Sequence, residues 1–446
     1  MTAAPDFDTL YTAHFGEITA RTESALAACG FETLWIHSGL ERLAFLDDQT
    51  YPFRSNPHFI WWVPHTEAPR CLLVFTPGQR PVLFFHCPRD FWHLPPALPE
   101  GGWTKHFDIR PVGDWAETLA ALPTPDARTA LIGEPFPGLE ALSPAVLNPP
   151  ALLRWLHEQR VRKTPYELAC QREASRLGVT AHRAARAAHG AGESEYGIHQ
   201  AFLAGCGQRE MELPYRAIVA RGPHGATLHY QALDQHRPSA PTSLLIDAGA
   251  AFRGYGSDIT RTWPASQDGE FADLVDALDR LQQALCARVR PGVSWPDLHL
   301  QAHLDIATLL RHAGVLRVSP ETAVDTGLSS VFLPHGLGHL LGLQVHDVGG
   351  FHPTPHAPAL PPPAGHPALR LTRTLEAGMV VTMEPGIYFI DVLLDQARQG
   401  PQASGIDWEA VARLRIHGGI RIEDNLVVNA GGCENLTREA FAAALI

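Results

Sequence analysis

The sequence holds no CxxC pair, no glycine-rich phosphate loop, no GxGxxG fingerprint and no apolar run of about 18 residues. Its seven cysteines (Cys29, Cys71, Cys87, Cys170, Cys206, Cys286 and Cys433) are odd in number and widely scattered. That excludes a zinc finger or a disulfide scaffold and fits a reduced, cytosolic chain. Positive charge is also short: 35 Lys and Arg stand against 47 Asp and Glu, a formal net charge of −12. The deficit argues against a nucleic-acid partner and a polybasic membrane anchor, and suits a site that takes cations. Charged residues make up only 18% and apolar residues 45%, which excludes a disordered tail or a coiled coil and allows a large packed core. The start, MTAAPDFDTL, is acidic and lacks the basic and apolar regions of a secretion signal. A cytoplasmic protein that does not enter a membrane is expected.

What is present reads as two units. At 446 residues the length points to two or three domains. In the first, DTLYTAHFGEITARTESALAACG has the pattern of an amphipathic helix stopped by Gly30. The apolar runs TLWIHSG, RCLLVFTPG, RPVLFFHCP and TALIGEP follow, separated by turn residues, and suggest strands alternating with helices. Trp61, Trp62, Trp92 and Trp103 are expected in a core or a subunit contact. A boundary is expected in the charged stretch 156–164, dividing the chain into an N-terminal α/β domain, 1–158, and a second domain, 159–446. Thr164, Pro165 and Glu167 then form a capping box for a helix running to about residue 190. Further helices are expected near Ser194 and Ser294, and strands after residue 240. The Pro-rich segment 352–370 should be an irregular loop.

Five residues in the second domain have the chemistry of metal ligands. Asp247 and Asp258 are eleven apart, with AFRGYG between them. A hairpin turning at Gly254 would bring the two aspartates nearly opposite each other on antiparallel strands, where unpaired carboxylates repel and a cation is expected. Surface aspartates on a solvated hairpin are the alternative, but the flanks SLLID and ITRTW look buried. His335 and His339 lie in HGLGH and His346 seven residues later, with Gly336 and Gly338 suited to a close backbone approach. Glu384 ends the apolar run MVVTM just before Pro385–Gly386. In GGIRIEDN, alternation puts Ile420 and Ile422 on one face and Arg421 and Glu423 on the other; an exposed salt-bridged edge would look the same. His299 and His303 also have i,i+4 spacing but no carboxylate motif, and are assigned to a plain helix face. Four carboxylates and one imidazole are too many for one small ion and suit two. The hard ligand set suits Mn²⁺, Mg²⁺ or Fe²⁺, and also Co²⁺ or Zn²⁺, better than copper or an iron–sulfur centre, and hardness favours Mn²⁺ among them. Two such ions roughly 3.5–4 Å apart can hold a hydroxide between them and hydrolyse a bond.

The set DAG…SDITRTW, PHGLGHLLGLQVHDVGG, TMEPGIYF and GGIRIEDNLVV closely resembles the Xaa-Pro dipeptidases (prolidases) of the pita-bread metallopeptidase family, most of all their bacterial cytosolic branch. FLDDQTYPFRSNPHF and RDFWH extend the likeness through the N-terminal half. The resemblance implies an N-terminal α/β domain that serves dimerisation and site closure, and a C-terminal pita-bread domain with a pseudo-twofold, strand-rich core. It implies that Asp247 binds one ion with both oxygens, that Asp258 and Glu423 bridge the two ions, and that His339 and Glu384 complete the other. A bridging hydroxide would cleave the bond before proline in a dipeptide, with Glu384 carrying a proton to the leaving nitrogen. His229 and His346 correspond to histidines near the scissile bond, His335 to a pocket residue, and Arg370 to the arginine that takes the substrate's free carboxylate. Arg421 lies beside the site and Thr260 behind the metal ligands. A homodimer is implied, with Asp47 or Asp48 reaching the partner's pocket. Trp295 and Leu298 depart from the tyrosines that relatives often carry there. The family also suggests a side activity on organophosphate triesters. The alternatives are aminopeptidase P-type cleavage of longer Xaa-Pro peptides, and a binding module without catalysis, which the intact ligands argue against.

Overall fold

The computed structural model describes residues 5–136 and 138–443. The chain divides into two compact units, the first ending at Cys170 and the second beginning at Gln171.

The first unit is built on a six-stranded mixed sheet. Its strands are β1 (Thr33–His37), β2 (Leu72–Phe75), β3 (Val82–His86), β4 (Asp108–Val112), β5 (Thr129–Ile132) and β6 (Val146–Leu147), in the order β4-β3-β2-β1-β5-β6. Helices α1 (Phe7–Cys29), α2 (Pro57–Trp62), α3 (Trp115–Ala121) and α4 (Pro150–Val161) accompany it. Gly30 ends α1 in the left-handed region, φ 75°, as a glycine C-cap does. The expected runs TLWIH, LLVF, VLFFH and TALI are all strands, because each is a short apolar stretch buried on both faces. Trp35, Leu72, Val74, Phe84 and Leu131 form part of this core. Trp61, Trp62 and Trp103 are buried too, whereas Trp92 is exposed. The charged stretch 156–164 is mostly helix: α4 runs to Val161, and Glu158, Arg160 and Lys163 are buried despite their charge.

Helix α5 (Pro165–Gly190) starts at the reciprocal cap read from the sequence. The Thr164 N–H donates to Glu167 Oε2 at 2.9 Å, and the Glu167 N–H to Thr164 Oγ1 at 3.4 Å. Helices α6 (Glu195–Cys206) and α8 (Trp295–His312) begin at Ser194 and Ser294 as expected; between them lies α7 (Glu270–Cys286), which begins after Gly269 with no side-chain cap to signal it.

The second unit carries two three-stranded antiparallel sheets. One is β11-β8-β7, from β7 (Ile218–Arg221), β8 (Leu244–Asp247) and β11 (Thr260–Trp263). The small hairpin β9 (Ala251–Phe252)–β10 (Tyr255–Gly256) interrupts it. The other is β12-β15-β16, from β12 (Val380–Met383), β15 (Asp424–Asn429) and β16 (Gly432–Asn435). A two-stranded ribbon pairs β13 (Gly386–Tyr388) with β14 (Gly419–Arg421). A backbone bridge between Thr260 and Glu423 joins the two halves, and each half supplies two of the four carboxylates. This mixed α/β architecture is the pita-bread arrangement the motifs imply, and it sets the five candidate ligands at the seam. Segment 352–370 is irregular throughout.

Candidate metal centre and its surroundings

The hairpin between the two aspartates turns where expected: Arg253 and Gly254 take positive φ values of 51° and 86°. Its register, however, differs from the expected one. Asp247 lies opposite Thr260, not Asp258. Asp258 precedes β11 by two residues, so the aspartates are diagonal neighbours, because β9 and β10 take residues out of the main ladder. Asp258 is buried and Asp247 nearly so.

Each remaining ligand is fixed by its backbone. The glycine-rich HGLGH segment runs beside β12: the Thr382 N–H donates to His339 O at 3.0 Å and the Glu384 N–H to Leu337 O at 3.0 Å. This approach needs Gly338, since a Cβ there would lie 2.2 Å from Thr382 O. It brings His339 Nε2 to 3.5 Å from Asp258 Oδ2 and 3.5 Å from Glu384 Oε1. His339 Nδ1 faces its neighbour's carbonyl, Leu340 O, at 3.0 Å, which holds the proton there and leaves Nε2 free to coordinate. Asp258, His339 and Glu423 each offer a donor atom within 4.8 Å of the others.

Glu423 and Arg421 are buried, so the exposed-edge alternative fails; Ile420 and Ile422 point instead into the apolar cluster with Phe332, Ile387 and Phe389. Arg421 ties the site together. It donates to Asp247 Oδ2 at 2.6 Å, to Thr260 Oγ1 at 3.1 Å and to the Tyr388 hydroxyl at 2.7 Å. Thr260 donates to Glu423 Oε2 at 2.6 Å. Tyr215 donates to Asp247 Oδ1 at 2.7 Å. Behind Glu423, the carboxylate of Asp424 accepts from Arg261, Arg438, Gln282 and Asn435 at 2.6–2.9 Å. Arg261 also donates to Glu423 O at 2.7 Å.

The electrostatics ask for positive charge. Burial, and then repulsion from Asp258 and the other carboxylates, pushes Glu423 well above the usual carboxylate range. Burial likewise raises Glu384, to about 7, and Asp247. At Asp258 burial is outweighed by the hydrogen bond and charge of His339, which hold it low, and His339 is raised by the same contacts. Four carboxylates that, among the described residues, face only Arg421 and His339 as cationic partners are a donor set that divalent metal ions would neutralise, and the oxygen-rich chemistry with one imidazole fits hard or borderline ions. The five residues fit the metal that the sequence implies.

The expected substrate residues surround this centre. His335 Nε2 lies 2.8 Å from the Tyr388 hydroxyl and its Nδ1 3.6 Å from Glu384 Oε2. The His346 ring stands 4.3 Å from that of His339. Burial lowers both His335 and His346 to about 4, so both are neutral at pH 7. His229 and Arg370 are exposed, within Coulombic reach of His346. The structure thus gathers every expected residue around one seam. Tyr215, Tyr388, Arg261 and Asp424 escaped the sequence reading. Tyrosines in LPYRAIV and EPGIYF carry no spacing signal, and Asp424 follows the more conspicuous Glu423.

Residues 169–430 match the model of metallopeptidase family M24, and residues 9–157 match that of the Xaa-Pro dipeptidase N-terminal domain. The chain is 49% identical to an Xaa-Pro dipeptidase from Xanthomonas axonopodis pv. citri, covering 99% of both chains. It is 48% identical to one from Stenotrophomonas maltophilia, covering 98% of both. Among solved structures, proline aminopeptidase P II from Yersinia pestis aligns with a TM-score of 0.70 and 25% identity over 96% of both chains. The fold and the site therefore define a metallopeptidase of family M24. Within that family the chain belongs to the Xaa-Pro dipeptidases, which makes it a hydrolase.

Proposed function

We propose that this chain hydrolyses Xaa-Pro dipeptides and releases proline at the seam between its two three-stranded sheets. The observation that carries the reading is the clustering of Asp258, His339 and Glu423, with Glu384 at 3.5 Å from His339 and Asp247 within Coulombic reach of Asp258, in a chain that matches Xaa-Pro dipeptidases along its length. These five residues would hold two divalent ions, Mn²⁺ by ligand hardness, which when bound supply a water of lowered pKa and Lewis acidity toward the scissile carbonyl.

The chain's own residues do the rest. Arg421 and Tyr215 each take one oxygen of Asp247, and Thr260 one of Glu423, so the carboxylates are aimed before substrate arrives. His346, neutral at working pH, donates its N–H to the oxygen of the scissile carbonyl as charge develops there. His335, braced by Tyr388, lines the same pocket. Glu384 has the most exposed side chain of the five, 17% accessible, and is placed to pass a proton to the leaving proline nitrogen. At the rim, His229 contacts the substrate and Arg370 takes its free carboxylate in a charge-assisted pair. That last contact favours a dipeptide over a longer peptide, whose carboxylate lies further out.

A homodimer accounts for a feature of the first unit. Phe45, Leu46, Phe91, Trp92 and Leu94 are 77–93% exposed, an apolar surface that a second copy would cover. Asp47 and Asp48 sit in the same stretch. A solution mass near twice 48.7 kDa is expected; a monomeric mass would contradict it. Seven scattered cysteines with no CxxC pair fit a reducing, cytoplasmic setting, and among the described residues no helix is long and apolar enough to cross a membrane.

The reading is tested by offering Ala-Pro, Ala-Ala and Ala-Pro-Ala to metal-stripped protein with and without Mn²⁺. Mn²⁺-dependent cleavage of Ala-Pro alone is expected. Cleavage of the tripeptide would move the assignment to an aminopeptidase, and no turnover of any peptide would overturn it.

A further inference from the structure

The sequence assigned His299 and His303 to a plain helix face. The structure adds a third histidine. His366, from the Pro-rich loop, meets them so that one ring nitrogen of each residue lies within 4.8 Å of the others. The three rings are 4.4–4.7 Å apart, centroid to centroid. His299 and His303 are 1% and 0% exposed.

We propose that His299, His303 and His366 form a separate transition-metal site that takes one divalent cation of the zinc class and fastens the loop 352–370 to helix α8.

The first support is unmet bonding. Neither ring nitrogen of His299 has a hydrogen-bond partner among the described residues, and Nε2 of His303 has none. A buried polar atom left so is costly, and native interiors rarely tolerate several together. A single cation would take one ring nitrogen of each of the three histidines at once. The second support is preparation of the ligand. His303 Nδ1 lies 3.0 Å from Ser329 Oγ; a proton donated there leaves the Nε2 lone pair facing the cluster. The third is the donor set itself. Three imidazoles without a carboxylate suit zinc, copper or nickel rather than manganese, and three protein ligands with one open position is a common zinc arrangement. Tetrahedral zinc, with Zn–N of about 2.0–2.1 Å, needs nitrogens about 3.3 Å apart. Side-chain rotation, mainly of the half-buried His366, closes the remaining gap.

His335 lies within Coulombic reach of His299 and His303, so the cluster lies beside the proposed peptidase pocket, yet it shares no ligand with the five-residue centre. His366 is four residues before Arg370 in the sequence. A bound cation would restrain the loop that carries Arg370. This consequence rests on the dipeptidase reading; the metal site itself does not.

The test counts zinc in tag-free protein. Wild type, His366→Ala and Asp258→Ala are incubated with Zn²⁺, freed of loose metal by gel filtration and analysed for bound zinc per chain. His366→Ala should hold one equivalent less than wild type and bind the lost ion at least about 100-fold more weakly, since even outer partners of a metal ligand are worth 10- to 100-fold. Asp258→Ala, which disables the five-residue centre, should still lose one further equivalent when combined with His366→Ala. Replacing zinc by Co²⁺ should give wild type, but not His366→Ala, the visible absorption of a tetrahedral cobalt site. Equal zinc in wild type and His366→Ala would overturn the site. Loss of zinc only in Asp258→Ala would do the same while leaving the dipeptidase reading intact. Because His366 lies on an irregular loop, its variant is expected to fold; an unchanged circular dichroism spectrum and melting temperature verify this.

Discussion

Asp258 concentrates the chemistry of the centre in one side chain. It is buried, faces His339 at 3.5 Å, and is within Coulombic reach of the other three carboxylates. Around it the supporting side chains are as specific as the ligands. Thr260→Val keeps the shape but removes the hydroxyl that donates to Glu423 and accepts from Arg421. It should weaken Mn²⁺ binding about 10- to 100-fold, measured by metal titration, with little change in fold. Arg370→Ala should raise KM for Ala-Pro by roughly 10- to 150-fold with a smaller effect on kcat, the scale of about 1.5–3 kcal/mol for a charged hydrogen-bonded contact. The guanidinium is exposed, which keeps the expected loss below that of a buried pair; an unchanged KM would contradict its role. At this scale the sequence was informative where residues came in groups. Acidic residues beside apolar strands, and histidines between glycines, marked the five candidate ligands that the structure brings together. Tyr215 and Tyr388 were illegible because a lone tyrosine is far more often core than a brace, and only the fold shows where its hydroxyl points. His366 was illegible for the same reason: nothing in a Pro-rich loop says that it returns to helix α8.

Strands and loops explain why those side chains meet. The HGLGH segment pairs with β12 through backbone bonds at His339, Thr382 and Glu384, so one register error would separate two ligands. Gly338→Ala should cause that error: its Cβ would stand 2.2 Å from Thr382 O. Overpacking of this kind costs about 1–3 kcal/mol, and the loop should yield before the strand does. Ala-Pro turnover should fall at least tenfold, about 1.4 kcal/mol in the barrier, while the circular dichroism spectrum is retained; full turnover would show that the approach tolerates a side chain. The strands and capped helices were readable because apolar runs, turn glycines and capping residues are local signals. The diagonal placement of Asp247 and Asp258 was not, since register depends on the inserted β9–β10 hairpin and not on the count of residues between them. Helix α7 went unseen for want of a capping residue.

For the whole molecule, stability should follow the buried titratable groups. His37 and His182 are fully buried, and burial, the main cause for each, lowers both to about 4. An unfolded histidine titrates at about 6.5, so below that pH the unfolded chain binds protons first and stability falls until about pH 4. Each contributes up to about 3 kcal/mol over that window. Asp424 acts lower down. Burial opposes its ionisation, but Arg261 and Arg438 outweigh burial and hold it at about 2. Its contribution is present above its unfolded value of about 3.9 and is lost as pH falls toward 2. With divalent ions holding Glu384 and Glu423 ionised, the melting temperature of the metal-loaded protein should therefore be steady at about pH 7 to 8 and drop progressively below about pH 6.5; an equal melting temperature at pH 5 would contradict this. The family was legible in the motifs, because they extend through both halves of the chain.

The most direct measurement of the central claim takes Mn²⁺ content and Mn²⁺-dependent Ala-Pro hydrolysis side by side, in wild type and in Asp258→Ala. The five-residue centre predicts that the variant loses bound Mn²⁺ and turnover together while staying folded. An Asp258→Ala protein that hydrolyses Ala-Pro at the wild-type rate would contradict the assignment of the metal centre.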